Sequence, residues 1–258
     1  MNTRIILTGG FLGAGKTTLL WKTAQHFMND GKRIGLLTND QAPELVDTAL
    51  LSKNDFKVAE VSGSCFCCNF NGFLSSLRQV KAESQAEVIL AEPVGSCTDL
   101  SATIVQPLKE LMHSEFTVSP FSVLADPKML RDILKGGNAG LHPSSAYIYR
   151  KQLEEADIIL ITKTDLLDTT EVEQLKKDVN IVFSDSEVFL ISSKTGSGVE
   201  EWIEYVLNND KAGRRIVDVN YDTYAEGEAV LGCLTAKLHL KECKPLTGMC
   251  LCKALWNY

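Results

Sequence analysis

Ten residues into the chain an apolar run ends in Gly10-Phe11-Leu12-Gly13-Ala14-Gly15-Lys16-Thr17, and an amphipathic stretch starts at once. The spacing is G-x4-G-K-[ST], and a strand before it with a helix after it is the setting in which that spacing makes a phosphate-binding loop. This constrains the fold more than any other feature, because a strand, a tight glycine loop and a helix in that order need a sheet with helices packed on it. In such a loop Gly10, Gly13, Ala14 and Gly15 let backbone N–H groups close around phosphate oxygens. Lys16 supplies a point charge to the β and γ oxygens, and the Thr17 hydroxyl is placed to ligate Mg²⁺, with Thr18 beside it in the first helical turn. The glycines do not offer the G-x-G-x-x-G spacing of a dinucleotide fingerprint, so NAD and FAD are poor candidates.

Short β-branched runs then alternate with longer amphipathic stretches, as βα units on a mostly parallel sheet do. Strands are expected at Arg4–Thr8, Arg33–Thr38, Lys57–Val61, Val88–Ala91, Ser122–Ala125, Asp157–Thr162 and Val188–Ile191. Helices are expected near Lys16–Met28, Phe70–Lys81, Asp99–Leu111, Pro127–Leu134, Ser145–Glu155, Glu171–Val179 and Gly198–Leu207. The fold class is α/β, a three-layer, mostly parallel sheet P-loop NTPase domain over residues 1–210. A charged, Gly-containing stretch from Asn208 to Arg215 reads as a linker to a short C-terminal α+β segment, 211–258. There Leu234, Ala236, Leu238 and Leu240 alternate with Thr235, Lys237, His239 and Lys241, giving one apolar and one wet face of a strand.

A formal charge of −7 with no concentrated basic face excludes nucleic acid as a partner. No apolar run approaches the roughly 20 residues that span a bilayer, and Met1–Gly10 carries neither a basic stretch nor a cleavage site. No membrane association and a cytoplasmic location are the expectation. The eight cysteines are then read as thiols, and clustered thiols in that setting more often bind metal than form disulfides.

A phosphate loop leaves the base open. Thr162-Lys163-Thr164-Asp165 follows the strand ending near Ile161 and resembles the guanine-recognition motif of GTPases, with Thr162 in place of the usual Asn. Asp165 would accept from guanine N1 and N2, and the stem of Lys163 would cover the base. Adenine lacks that donor pair, and a site built to bond it discriminates by roughly 10⁴-fold. Ser192-Ser193-Lys194-Thr195-Gly196 follows the next strand and resembles the second guanine motif, with the Ser193 N–H on the guanine carbonyl. Taken singly, Asp165 reads equally as a helix cap and Ser192 as a turn residue; their order after the phosphate loop favours guanine.

Cys65, Cys67 and Cys68 put three thiols within four residues, a poor way to build a core and a good way to grip a soft or borderline cation. Residues two apart share a face of an extended chain, so Cys65 and Cys67 form the natural pair, and Cys97, Asp40 and Glu44 are the accessible further ligands. Buried or redox-active cysteines without metal are the alternative. Cys233, Cys243, Cys250 and Cys252 read as structural. Glu92 ends a strand where many P-loop proteins hold Mg²⁺ or its water, a helix cap or surface carboxylate being the other reading. Asp40 is either a water-positioning group near the magnesium or a turn residue. Lys16, Asp40 and Glu92 are the catalytic candidates, and with no water-orienting Gln or arginine finger in evidence, hydrolysis is expected to be slow.

Gly9–Thr18, Cys65-Phe66-Cys67-Cys68, Glu92-Pro93-Val94-Gly95 and Thr162–Asp165 together resemble, in order, the four signature segments of the CobW family, whose relatives HypB and UreG assist metal insertion into enzymes. The resemblance runs from about Arg4 to Trp202, and Tyr221–Ala236 is similar to the start of that family's C-terminal domain. It implies that Gly95 presents its N–H to the γ-phosphate. Ser64 stands where members often have Gly, Asn39-Asp40-Gln41-Ala42-Pro43-Glu44 departs from the commoner Asn-Glu-Phe-Gly-Glu, and the four histidines form no tract.

The expectation is therefore a regulatory GTPase with GTP and Mg²⁺, coupled to Zn²⁺ or Co²⁺ and delivering the metal or a metal cofactor to a client metalloprotein or corrinoid protein. A nucleotide-dependent homodimer is compatible with it. An ATP-dependent kinase or synthetase, and a metal-storage or redox module indifferent to nucleotide, are the competing classes.

Overall fold

The computed structural model describes residues 2–39, the backbone of 58–60, and residues 66–231. Asp40, Glu44, Cys65 and everything after 231, including the expected strand Leu234–Leu240, lie outside the described residues.

Among the described residues eight strands form one sheet: β1 (Thr3–Gly10), β2 (Ile34–Thr38), β3 (Val58–Glu60), β4 (Val88–Glu92), β5 (Phe116–Val118), β6 (Ser122–Ala125), β7 (Ile158–Ile161) and β8 (Glu187–Leu190). Their order is β3-β2-β4-β1-β6-β7-β8, every pairing is parallel, and β5 also lies against β1. The helices are α1 (Lys16–Asn29), α2 (Phe70–Ser84), α3 (Gln106–Leu111, entered through a wide turn at Ser101–Val105), α4 (Pro127–Leu134), α5 (Pro143–Glu155), α6 (Thr169–Val182), α7 (Val199–Asn208) and α8 (Tyr221–Leu231). Among the described residues no helix is long and apolar enough to cross a membrane.

Side chains alternate across a strand, and β1 shows what that does here. Ile5 and Leu7 enter the core on one face with Phe73, Leu77 and Val80 of α2 and Tyr149 and Leu153 of α5. Ile6 enters the opposite core with Leu19, Leu20 and Phe27 of α1 and Trp202, Ile203 and Val206 of α7. Because both faces are covered, the strands read as continuous apolar runs, as buried parallel strands do. This is the three-layer α/β arrangement expected. The chain runs outward from β1 in both directions, so the carboxyl end of β1 lies at a switch point, the place where such sheets bind ligands.

Two elements were not expected. β5 adds to β1 at Thr3–Ile5 while β6 pairs at Thr8–Gly10, one lane of the sheet interrupted at Pro120, which has no N–H to give the ladder. Ser119 still donates to the Ile5 carbonyl at 2.9 Å, bridging the gap. The second is α8, which lies on α5 so closely that a Cβ at Gly227 would sit 2.7 Å from the Ser144 carbonyl oxygen. The stretch between α7 and α8, read from sequence as a linker, is fastened to the sheet domain: Lys109 and Gln106 donate to the carbonyls of Ala212 and Gly213, each at 2.6 Å, and the buried carboxylate of Asp157 receives the N–H groups of Phe121, Gly213 and Arg214.

Candidate nucleotide and metal site

β1 delivers the glycine loop to the switch point. Gly10 has φ 129°, and a Cβ there would stand 2.5 Å from the Leu124 carbonyl oxygen of β6, so only glycine lets the two strands close at this end. Gly13 and Gly15 also have positive φ, but added Cβ atoms would meet nothing within 4 Å. They would point into open space beside the loop, which is where a phosphate-binding loop receives its ligand. Lys16 is buried at 7% exposure and its Nζ donates to the Phe11 carbonyl at 3.3 Å, curling over the loop. Thr18 is exposed, and Thr17, in the same turn, donates from Oγ1 to Oε1 of Glu92 at 3.0 Å.

At the other end, Lys163 adopts φ 54° directly after β7, and its Nζ donates to the Gly13 carbonyl and to Asp126 Oδ2, each at 2.8 Å. Burial works against the charge on Asp126, but the Lys163 ammonium and the Lys128 and Met129 amides outweigh it and hold that carboxyl below its ordinary range. Asp165 Oδ1 accepts from the Ser192 hydroxyl at 2.7 Å, which with the Lys194 ammonium at 3.7 Å keeps Asp165 ionised to lower pH than usual. The Ser192 Oγ accepts in turn from the Thr195 N–H, fixing the half-buried Ser193 in the same turn. The two loops expected to recognise a base are thus tied to each other and, through Lys163, to the phosphate loop.

The thiols lie on the far side of Glu92. Asn39, at the end of β2, donates its N–H to the Glu92 carbonyl at 3.0 Å and accepts the Phe66 N–H on Oδ1 at 2.7 Å. Phe66 packs against Phe73 with ring centroids 4.6 Å apart and planes tilted by 50°, which seats the short 3₁₀ turn Phe66–Cys68. Cys67 Sγ comes within 3.9 Å of Cys68 Sγ, 3.8 Å of Cys97 Sγ and 3.9 Å of the Tyr224 hydroxyl. Among the described residues no three His, Cys, Asp or Glu side chains converge as a closed metal site.

The segment from Glu92 to Cys97 closes the arrangement. A Cβ at Gly95 would stand 2.7 Å from the Leu12 side chain and 3.2 Å from its backbone nitrogen, so this segment is packed on the phosphate loop. Gln152, buried on α5, donates its amide to the carbonyls of Gly95 at 3.0 Å and Cys97 at 2.8 Å. One turn further along α5, Glu155 is fully buried and accepts from the Ser101 N–H at 3.0 Å and the Thr98 hydroxyl at 3.3 Å. Burial, with Asp99 nearby, raises its carboxyl to about 8.

Of the residues expected to act together, Gly10, Gly13, Ala14, Gly15, Lys16, Thr17, Glu92 and Gly95 meet at one end, and Lys163, Asp165, Ser192 and Lys194 at the other. Asn39, Asp126, Gln152, Glu155 and Tyr224 were not anticipated in these roles. Asp126 alone had a local signal, as an Asp before a Pro that opens a helix.

Residues 4–190 match the family model described as CobW/HypB/UreG, nucleotide-binding domain. The chain is 27% identical over 197 residues to a protein named zinc chaperone CobW from a Sinorhizobium species, covering 66% of this chain and 53% of that one. It is 29% identical over 180 residues to the zinc chaperone YeiR of Escherichia coli, covering 67% and 49%. The chain therefore spans about half the length of these curated relatives. Among solved structures, HypB from Helicobacter pylori in complex with nickel superposes with a TM-score of 0.59 at 19% identity, covering 81% of this chain and 88% of that one, a likeness of fold. With more than half of its length under the family model, this chain belongs to the CobW/HypB/UreG family by its nucleotide-binding domain.

Proposed function

We propose that this chain is a slow GTPase that ties the nucleotide at Gly10–Thr18 to a transition metal ion at the thiols Cys65, Cys67 and Cys68, and passes that ion, or a cofactor carrying it, to a client protein in the cytoplasm. Lys16 and the loop amides bind the β and γ oxygens. Thr17 ligates Mg²⁺, with Glu92 receiving one of its waters and Gly95 offering its N–H to the γ-phosphate. Mg²⁺ supplies charge neutralisation across the phosphates. Asp165, with Ser193 and the stem of Lys163, selects guanine, while Ser192 and Lys194 orient Asp165. Two features support loop and pair as fitting these groups: the open space beside Gly13 and Gly15, and the Thr17–Glu92 contact, whose oxygens are the donor set a hard cation prefers. The names of the relatives put zinc ahead of cobalt as the ion carried.

The observation that carries the reading is the contact of Cys67 with Cys97 at 3.8 Å, because Cys97 belongs to the segment that also packs on the phosphate loop at Gly95. Thiol loop and phosphate loop share one neighbouring segment, through which a shift at either would reach the other. The test is Zn²⁺ titration of the protein with and without a non-hydrolysable GTP analogue. A change in metal affinity of about 5- to 150-fold, matched by the same factor for the analogue with and without metal, is the expected result. Equal affinities in both nucleotide states overturn it.

A further inference from the structure

Cys97 lies thirty residues from Cys67 in sequence, and its sulfur stands 3.8 Å away. That distance has a meaning in coordination chemistry: with Zn–S bonds of about 2.3 Å at a tetrahedral centre, two thiolates on one ion lie about 3.8 Å apart. A disulfide would bring them to about 2.05 Å. A buried cysteine can also be a small core residue, and Cys97 is only 2% exposed. Two facts separate it from that role. It stands at the rim of the core, facing a half-buried thiol whose neighbour Cys68 is exposed. Its backbone is also bonded on both sides: its N–H donates to the Val94 carbonyl at 3.0 Å, and its carbonyl accepts from the buried amide of Gln152.

We propose that Cys97 is a metal ligand, and that Cys67 and Cys97 together chelate one borderline divalent cation, Zn²⁺ or Co²⁺, as a two-thiolate jaw between the thiol loop and the Glu92–Cys97 segment. The proposal rests on the metal-linked reading above and names the atom through which the link passes. Of the bonds to the ion, these two convert two thiols to thiolates, release two protons and form two metal–sulfur bonds. With the other thiols of the loop, Cys97 brings a tetrahedral ion to its four ligands. Gly95 lies two residues before Cys97, and Gln152 grips both carbonyls. An ion that pulls on Cys97 therefore shifts the same short span that contacts Leu12 of the phosphate loop.

The experiment is a Co²⁺ titration of the full chain, followed by the sulfur-to-cobalt charge-transfer absorption in the near ultraviolet, with and without a non-hydrolysable GTP analogue. It is repeated on Cys97→Ser and on Cys97→Ala, which leaves no buried hydroxyl should the serine variant unfold; thermal unfolding establishes which is folded. In the folded variant the charge-transfer intensity should drop, Co²⁺ should bind roughly tenfold more weakly or worse, and the analogue should no longer change metal affinity. If the unsubstituted chain shows the nucleotide effect and the variant keeps both the effect and the full absorption, Cys97 is a core residue and this proposal falls, while the metal-linked reading stands. If the unsubstituted chain shows no nucleotide effect, that reading falls; the intensity alone then decides whether Cys97 ligates, and an undiminished band rejects it.

Discussion

The hydroxyl of Thr17 donates to Oε1 of Glu92 at 3.0 Å, so the first turn of α1 and the end of β4 meet on one charge-assisted hydrogen bond. A magnesium ion bound at Thr17, with a water on Glu92, would replace that bond by two better ones. Thr17→Ala should cost about 10- to 100-fold in GTP-analogue affinity in the presence of Mg²⁺, the range of a hydrogen bond to a charged group, and little in its absence. Glu92→Gln keeps the bond and loses the charge, and should show the smaller loss of the two. Calorimetry with Mg²⁺ and with a chelator checks both; losses of equal size without Mg²⁺ would remove the ion from this pair.

The glycines of the loop divide by what surrounds them. Gly10→Ala drives a Cβ to 2.5 Å from backbone at Leu124, with φ 129°, and should give insoluble or unfolded protein. Gly13→Ala meets nothing within 4 Å and bears only the strain of positive φ, about 1–3 kcal/mol. It should stay folded and lose nucleotide, because the methyl group occupies the open space beside the loop. Thermal unfolding and analogue binding, measured side by side, separate the two outcomes.

Asp165 is held ionised chiefly by the Ser192 hydroxyl. Asp165→Asn should weaken GTP by at least about 100-fold and favour xanthosine triphosphate, whose added carbonyl accepts from the new amide. Competition between the two nucleotides reads this directly, and an unchanged preference places the base elsewhere.

Glu155 predicts an unusual pH dependence. Its folded carboxyl titrates near 8, above the unfolded value, so between roughly pH 4.5 and 8 the folded chain holds a proton that the unfolded chain has lost. Stability should fall as pH rises through that window, by up to about 1.4 kcal/mol per pH unit, and level off above it. Glu155→Gln can still accept from Ser101 while donating to Thr98, and its unfolding temperature should be flatter across the same window. Parallel slopes for variant and parent would show that Glu155 is ionised in the fold.

The strands and the phosphate loop were legible because their signals are local: an apolar run, glycines at fixed spacing, a helix-forming stretch. Helix α6 was read from Glu171, and its true start two residues earlier follows from a capping box between Asp168 and Glu171. β5 escaped because three residues before a proline carry too little pattern to read as a strand. Gln152 escaped for another reason. Its partners, Gly95 and Cys97, lie 57 and 55 residues away, and nothing in the sequence around α5 distinguishes an amide that grips a distant loop from one on a helix surface. Cys97 was visible as an available thiol, but only the sheet brings it beside Cys67.

Asp157, at the amino end of β7, gathers three amides, and two of them fasten the segment after α7. Its carboxylate is 1% exposed, and two of those amides come from residues 213 and 214, beyond the last strand and the last helix of the sheet domain. A chain ending at 210 would keep every described strand, the glycine loop and the loops at Asp165 and Ser192. It would also strip Asp157 of two of its three amide donors and of the Arg214 side chain. The four or five residues after 210 therefore belong to the folded unit that carries the nucleotide loops, and α8 continues that unit by packing on α5.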